Sequence, residues 1–310
     1  MLGQDPAYVA DSSEAASKAI SQASAMMKNG VEDRLGLVSN CWKVQLGEGA
    51  SLSELVAQAA DEGFRFVELR QGCLGECEDS DSRLPLADRL TELAERFPEI
   101  TFDLAVELPI FSESIDASSA AVDTMLRSAK AISAHSHPAH LRIVDPVSKT
   151  VPSKRTADDE VGSTFRPQDV VDSLANLKAE LSTGIISVEH SFQPWAGIRT
   201  LFEVANSSDI NVRLCYDPCN LWLAGDGDEA DEITASLPAD WLSMVHLKQR
   251  VNNSVTSRLE SGKVDWSRQL DLLNRAKYAG PFLFETTPCE DVWECLRDSR
   301  DYLASIVREL

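Results

Sequence analysis

Between Leu35 and Leu310, short apolar runs alternate with helical patterns eight times over. Strict alternation of this kind leads to a parallel sheet, because parallel neighbours need a crossover long enough to hold a helix, and the helices then cover the sheet. The runs are rich in β-branched and aromatic residues and apolar on both faces, as strands buried on two sides must be. Leu-Gly-Leu-Val-Ser-Asn-Cys-Trp42 is read as the first strand and Phe-Val-Glu68-Leu-Arg70 as the second. Further strands are expected over 101–108, 140–145, 185–190, 211–217, 242–248 and 281–286. Ser51-Leu-Ser-Glu54 has the form of a capping box and opens the first helix, which Gly63 stops. Later helices are expected over 84–97, 116–134, 168–181, 196–206, 229–236 and 266–278, with a closing one from about 291.

Eight βα units of this length predict a single (β/α)8 TIM barrel over 35–310. A doubly wound sheet uses fewer strands and an early glycine-rich phosphate turn, and the sequence has no G-x-G-x-x-G, P-loop or G-x-S-x-G motif. Residues 1–34 read as an N-terminal extension. Asp11 to Lys28 carries Ala16, Ile20, Ala23 and Met27 on one face, the pattern of a single helix.

The barrel supplies a filter: chemistry sits at the C-terminal ends of the strands and stability at the N-terminal ends. Four apolar runs in the second half end on Glu189, Asp217, His246 and Glu285, one from each of strands five to eight. A single acidic residue after a strand is usually a helix cap. Four on consecutive strands, three carboxylates and one imidazole, converge at one mouth and suit a divalent cation. The same filter sets aside His135, His137 and His140, which precede a strand and are expected in a solvated turn at the other end. His190 follows Glu189, so alternation points it away from the axis, although it can still reach a substrate from the loop.

Net charge narrows the partners. Fifty acidic residues against 29 basic ones give a formal charge of -21, which repels polyanions and argues against nucleic acid. No run nears the roughly 18 to 20 apolar residues that span a bilayer, and the start, Met-Leu-Gly-Gln-Asp-Pro, does not read as a leader, so a cytoplasmic protein without a membrane partner is expected. The seven cysteines include no Cys-x-x-Cys pair and read as reduced thiols. Cys41, Cys73, Cys219 and Cys289 fall near strand ends; a zinc–thiolate site there is the lesser reading beside core filling. Basic residues gather after strand four (Lys149, Lys154, Arg155, Arg166) and after strand seven (Lys248, Arg250, Arg258, Lys263). Both loops belong to the top face, and a positive mouth there would attract a phosphorylated or carboxylated sugar. The length of the first loop suggests a lid.

Several segments together resemble the xylose-isomerase-like TIM barrels of the sugar phosphate isomerase/epimerase superfamily: Ser-Val-Glu189-His, Tyr-Asp217-Pro-Cys-Asn220-Leu-Trp-Leu-Ala-Gly, Val-His246-Leu-Lys248, Leu-Glu-Ser-Gly262-Lys-Val-Asp265-Trp266 and Tyr278-Ala-Gly280-Pro-Phe-Leu-Phe-Glu285. Ala-Asp-Glu-Gly63-Phe-Arg-Phe-Val-Glu68 is a weaker match in the first half. The resemblance implies that Glu189, Asp217, His246 and Glu285 bind one divalent ion (Mn, Mg, Co or Zn), with Glu189 and Glu285 also the acid/base pair. It implies a small sugar, sugar phosphate or sugar acid isomerised or epimerised through an enediolate, with Asn220, Lys248, Arg250, His190 and Glu68 as substrate contacts. Homo-oligomers are common in the group. Two departures stand out: Asn220 replaces the frequent Asp-x-x-His histidine, and Gln249 replaces the carboxylate of His-x-Lys-Asp. A dehydratase of the same superfamily and a non-catalytic sugar-binding barrel are the alternatives. An apurinic-site endonuclease fits poorly, since that branch needs many more strand-end histidines than the five in this chain.

Overall fold

The computed structural model describes residues 30–113, 115–133, 138–146 and 165–308. Eight parallel strands close into a barrel: β1 (Leu35–Val38), β2 (Phe66–Arg70), β3 (Thr101–Glu107), β4 (His140–Val144), β5 (Ile185–Glu189), β6 (Val212–Tyr216), β7 (Leu242–Leu247) and β8 (Phe282–Phe284). Each strand pairs with its neighbour in sequence, and β8 closes the ring on β1 through Leu35–Phe282, Gly36–Leu283 and Leu37–Phe284. The alternation of runs and helices therefore folds as the barrel expected of it.

Most of the apolar core lies outside the ring, where the strands' outer faces meet the helices. The helix Leu52–Asp61 shows the local logic. Ser51 and Glu54 form a reciprocal capping box, and Leu52, Leu55, Val56 and Ala59 turn inward at helical spacing. Inside the ring the apolar filling is small: Val38, Cys215, Met244 and Leu283, with Phe66 against them. Much of the rest of the interior is polar. His140 at the foot of β4 sits 2.8 Å from Ser187 and 3.1 Å from Asp103, and Arg142 lies fully buried between Glu68 and Glu189.

Some expectations are corrected. The first strand ends at Val38, and Ser39–Trp42 forms a 3-10 turn running into a short helix, Lys43–Gly47. His140 is buried and paired inside the barrel rather than solvated; His135 and His137 lie outside the described residues, as do the expected helix over 11–28 and Lys149, Lys154 and Arg155. A further helix, Pro218–Ala224, follows β6, and two short strands, Arg250–Val251 and Ser254–Val255, pair antiparallel after β7. Ahead of β1, Val31 joins the core, while the Arg34 guanidinium donates to the carbonyls of Tyr278 and Gly280 and lies over the Phe282 ring. No helix among the described residues is long and apolar enough to cross a membrane.

Candidate metal centre and active site

Period-two alternation carries the interior floor upward into the site. Two residues beyond Val38, Cys215, Met244 and Leu283 stand Asn40, Asp217, His246 and Glu285, so side chains one step up share the barrel axis. A register shift between Leu214 and Cys215 adjusts β6 against β7 just below Asp217; irregularities of this kind re-aim side chains beside sites. Glu189, at the end of β5, completes the set. Ligand atoms of Glu189, Asp217, His246 and Glu285 all lie within 4.8 Å of one another, and all four residues are buried.

Each carboxylate is held by other groups. Arg142 donates to both oxygens of Glu68, at 2.8 and 2.6 Å, and to Glu189 Oε2. Asn220 Nδ2 donates to Glu189 Oε1 at 3.1 Å and to the His190 carbonyl at 3.0 Å. Arg70 and Asn40 donate to Glu285 Oε1 at 2.8 and 3.3 Å. Lys248 Nζ lies 2.7 Å from Asp217 Oδ2 and 2.5 Å from Glu285 Oε2. His246 Nδ1 is 3.1 Å from Glu285 Oε2 and 3.6 Å from Glu189 Oε1, while its Nε2 faces Cys215 Sγ at 3.3 Å and Glu68 Oε1 at 3.6 Å.

Burial opposes ionisation throughout, so the protonation pattern shows which neighbours prevail. For Glu189, burial is the largest influence and pushes upward, yet Arg142 outweighs it and the pKa falls to about 2. Glu285 is also buried, but Lys248 and then His246 hold it well below the usual carboxylate range. Burial lowers His246, but its acidic neighbours Cys215, Glu68 and Glu285 carry it well above an ordinary imidazole. Since the Cys215 thiol is itself pushed up to about 12 by burial, the carboxylates do this work near neutrality. Asp217 differs, because burial raises it against the pull of Lys248. Four carboxylates (Glu68, Glu189, Asp217, Glu285) thus face Arg70, Arg142, Lys248 and the His246 ring, and formal charge balances among these eight groups when all four carboxylates are ionised and that ring is protonated. A buried cluster of charges is tolerable only when paired in this way.

The donor set fits a divalent ion. Three carboxylates and an imidazole are a mixed oxygen and nitrogen shell suited to Mn, Mg, Co or Zn. Asp217 also divides its oxygens. Oδ1 caps the helix Pro218–Ala224 by accepting from the Cys219 and Asn220 amides, whereas buried Oδ2 takes no donor other than the Lys248 ammonium 2.7 Å away. Asp217 is therefore a helix cap and a member of the cluster at once. A tethered cation now serves the oxygens that an ion would use.

The structure separates the other sequence candidates. Lys248 reaches the cluster. Asn220 spends its amide on Glu189 and the His190 carbonyl, and so holds a ligand in place. Glu68 lies beneath the site, fully buried against Arg142. The His190 ring points away from the axis, stacked on Tyr216 and edge-on to Trp195, and its Nε2 accepts from the Asp217 amide. Burial lowers its pKa to about 4, so it is a neutral prop for Asp217. Arg250 bonds the Asn253 carbonyl in its own hairpin. Of the other basic residues after β7, Arg258 pairs with Asp298 and Lys263 lies over the Trp222 ring. The expected positive rim therefore does not form from them. Arg166 is the N-cap residue of the helix Pro167–Leu181. Gln249 is a pin: its amide donates to the Glu260 and Val264 carbonyls and its oxygen accepts from the Arg250 and Val264 amides. A side chain on Gly262 would meet Gln249 Cδ at 2.5 Å, so the pin requires that glycine. Sequence reasoning did not single out Arg142, Arg70 or Asn40. Arg142 alone carried a signal, as a charge in the middle of the apolar run His-Leu-Arg-Ile-Val.

The sequence pattern of the xylose isomerase-like TIM barrels matches residues 56–305. The chain belongs to that family. No curated protein matches it in sequence. Among solved structures, a xylose isomerase domain-containing protein from Salmonella typhimurium LT2 superposes with a TM-score of 0.61 at 15% identity, over 90% of this chain and 97% of that one. The IolI protein with a bound zinc atom gives 0.59 at 14% identity, over 89% and 98%. A 3-keto-D-glucoside 4-epimerase from E. coli gives 0.56 at 15% identity, over 88% and 98%. At these identities the likeness is one of fold, and the xylose isomerase-like barrel here carries its own shell of Arg142, Asn220, Arg70 and Lys248 around the cluster.

Proposed function

We propose that this barrel is a divalent-metal-dependent isomerase or epimerase of a small sugar, sugar phosphate or sugar acid, working through an enediolate. The observation that supports it is the convergence of Glu189, Asp217, His246 and Glu285 from four consecutive strands. These four would hold the ion, which supplies Lewis-acid polarisation of a carbonyl oxygen. Glu189 and Glu285 rest as carboxylates, so either can accept a proton from a carbon beside a carbonyl. In an isomerisation the carboxyl group so formed returns that proton to the neighbouring carbon; in an epimerisation the other glutamate, in its carboxyl form, delivers a proton to the opposite face of the same carbon. Arg142 with Asn220 orients Glu189, and Arg70 with Asn40 orients Glu285. The reaction would take place in the barrel mouth, without nucleic acid or membrane and in the cytoplasm. A homo-oligomer is compatible with this reading.

The experiment is metal analysis of protein purified without chelators, followed by exchange of substrate carbon-bound hydrogen with deuterated water. About one ion per chain and loss of exchange in Glu285→Gln are expected; undiminished exchange in that variant ends the acid/base assignment. A dehydratase remains the neighbouring chemistry, and an absorbing enone product would reveal it. Lys248 favours one further reading, a sugar-binding barrel without turnover, because its ammonium already serves Asp217 and Glu285. Protein that binds sugar, lacks metal and releases no product would establish it.

A further inference from the structure

We infer that the substrate carries an oxyanion, a phosphate or carboxylate, seated in a basic cavity beside Glu285 and formed by the loops after β1 and β2. The proposed sugar chemistry is assumed only for the reacting end of that substrate. The cavity measures about 510 Å³ and is lined by Asn40, Lys43, Arg70, Gln71, Arg83 and Glu107, among others. That volume suits a small ligand. Its place on the top face, after the ends of β1 and β2, is where barrel sites are built.

Two contacts join it to the metal centre. Arg70 and Asn40, both in its wall, donate to Glu285 Oε1 at 2.8 and 3.3 Å. Arg70 and Asn40 thus stand between Glu285 and this space, and a molecule reacting at Glu285 reaches it past these two side chains. Three cations face it, on a chain with a formal charge of -21. Their existing partners leave capacity. Arg70 divides between Glu285 and Glu107, the latter at 3.5 Å and half-exposed. Arg83 pairs with Glu78 at 3.1 Å and donates to the Gly72 carbonyl. Lys43 has no ion-pair partner among the described residues. The three fields converge at Cys73 in the same wall: burial raises that thiol, and Arg70, Lys43 and Arg83 all pull against it.

Asn40 adds a second demand. Its Oδ1 is buried and accepts no hydrogen bond, while its Nδ2 is spent on Glu285. An acceptor left without a donor in the cavity wall is one that a ligand hydroxyl satisfies after a small turn of the Asn40 side chain. Cations at one end, an unpaired acceptor next to Glu285 and an open cavity of small-ligand size together describe a hydroxylated small anion. Electrostatic focusing of this kind also raises the local concentration of such a substrate around an acidic protein.

The test is calorimetric titration of the full chain with inorganic phosphate, with gluconate and with a short DNA duplex at low ionic strength. It is repeated on the double variant Lys43→Gln/Arg83→Gln, whose unchanged melting temperature verifies folding. Saturable binding of phosphate or gluconate, weakened at least about tenfold in the variant, is expected. Preference for phosphate points to a phosphorylated sugar and preference for gluconate to a sugar acid. Absence of saturable binding by either, equal affinity in the variant, or tighter binding of the duplex overturns the inference. Metal content of the same samples separates the two readings. Metal-free protein that still binds the anion through Lys43 and Arg83 removes only the metal chemistry, and metal-loaded protein blind to both anions removes only this cavity.

Discussion

Lys248 Nζ stands 2.7 Å from Asp217 Oδ2, a buried carboxylate oxygen that takes no donor other than this ammonium. It reaches Glu285 Oε2 as well, at 2.5 Å, and its side chain is only 12% exposed. An ammonium on a flexible stem thus supplies positive charge between two residues proposed to hold a divalent ion.

Replacing Lys248 by Met should therefore destabilise the chelator-treated protein by about 3–5 kcal/mol, the usual cost of stripping one partner from a buried ion pair. Added manganese should recover most of that loss in the variant. Melting temperatures with chelator and with manganese measure both; an equal deficit under the two conditions would mean that the lysine and the ion do not serve the same oxygens.

Arg142 is the counterpart below the site. Its guanidinium is fully buried and neutralises Glu68 and Glu189. Arg142→Met should lower stability by about 3–5 kcal/mol, and the double variant Arg142→Met/Glu68→Gln should lose less than Arg142→Met alone. Urea unfolding at neutral pH checks the order, and a double variant weaker than the single one refutes the pairing.

Asn220 holds Glu189 through a hydrogen bond of 3.1 Å. Groups that orient a ligand typically contribute about 10–100-fold to metal affinity. Asn220→Ala should weaken manganese binding by that range with little change in fold, as measured by calorimetry and circular dichroism. Unchanged affinity would leave Asn220 a purely structural residue.

Gln249 explains a departure from the family's common carboxylate. Two carbonyls, of Glu260 and Val264, need the donors of its amide, and a carboxylate has none. Gln249→Glu should cost at least about 1–3 kcal/mol, read as a lower urea midpoint. A midpoint equal to the parent's would show that the loop does not depend on this pin.

Alkaline pH supplies a further check. Burial raises the Cys77 thiol to about 12 in the folded chain, whereas an unfolded thiol ionises near ~8.5. Above that value the unfolded state has lost the proton and the folded state keeps it. Stability must then fall as pH rises from about 8.5 towards 12. Cys77→Ala should show a shallower decline of melting temperature over that window, and parallel declines would place the proton elsewhere.

The barrel and the four converging residues were legible because both depend on periodicity. Alternating βα runs dictate a closed parallel sheet, and a residue at the end of each of four consecutive runs shares one mouth whatever the details of packing. His190 was placed correctly away from the axis by the same alternation. Its role as acceptor for the Asp217 amide was not, because that bond joins two strands. The basic residues after β7 were assigned to the rim by chain position alone, and Arg258 and Lys263 instead found Asp298 and Trp222 nearby. Lys43, Arg70 and Arg83 line the positive cavity, although neither Lys43, at the start of a short helix, nor Arg83, in a loop, carries a distinguishing pattern.

The sequence by itself determined the architecture and the identity of the cluster, since strand period and chain order suffice to bring Glu189, Asp217, His246 and Glu285 together. Only the tertiary structure decided what surrounds them: Arg142 against Glu68 and Glu189, Lys248 between Asp217 and Glu285, and Arg70 with Asn40 opening onto a basic cavity. The physical reason is range. Periodicity is local and is written along the chain, whereas the balance of buried charge depends on distances across the barrel between residues far apart in sequence.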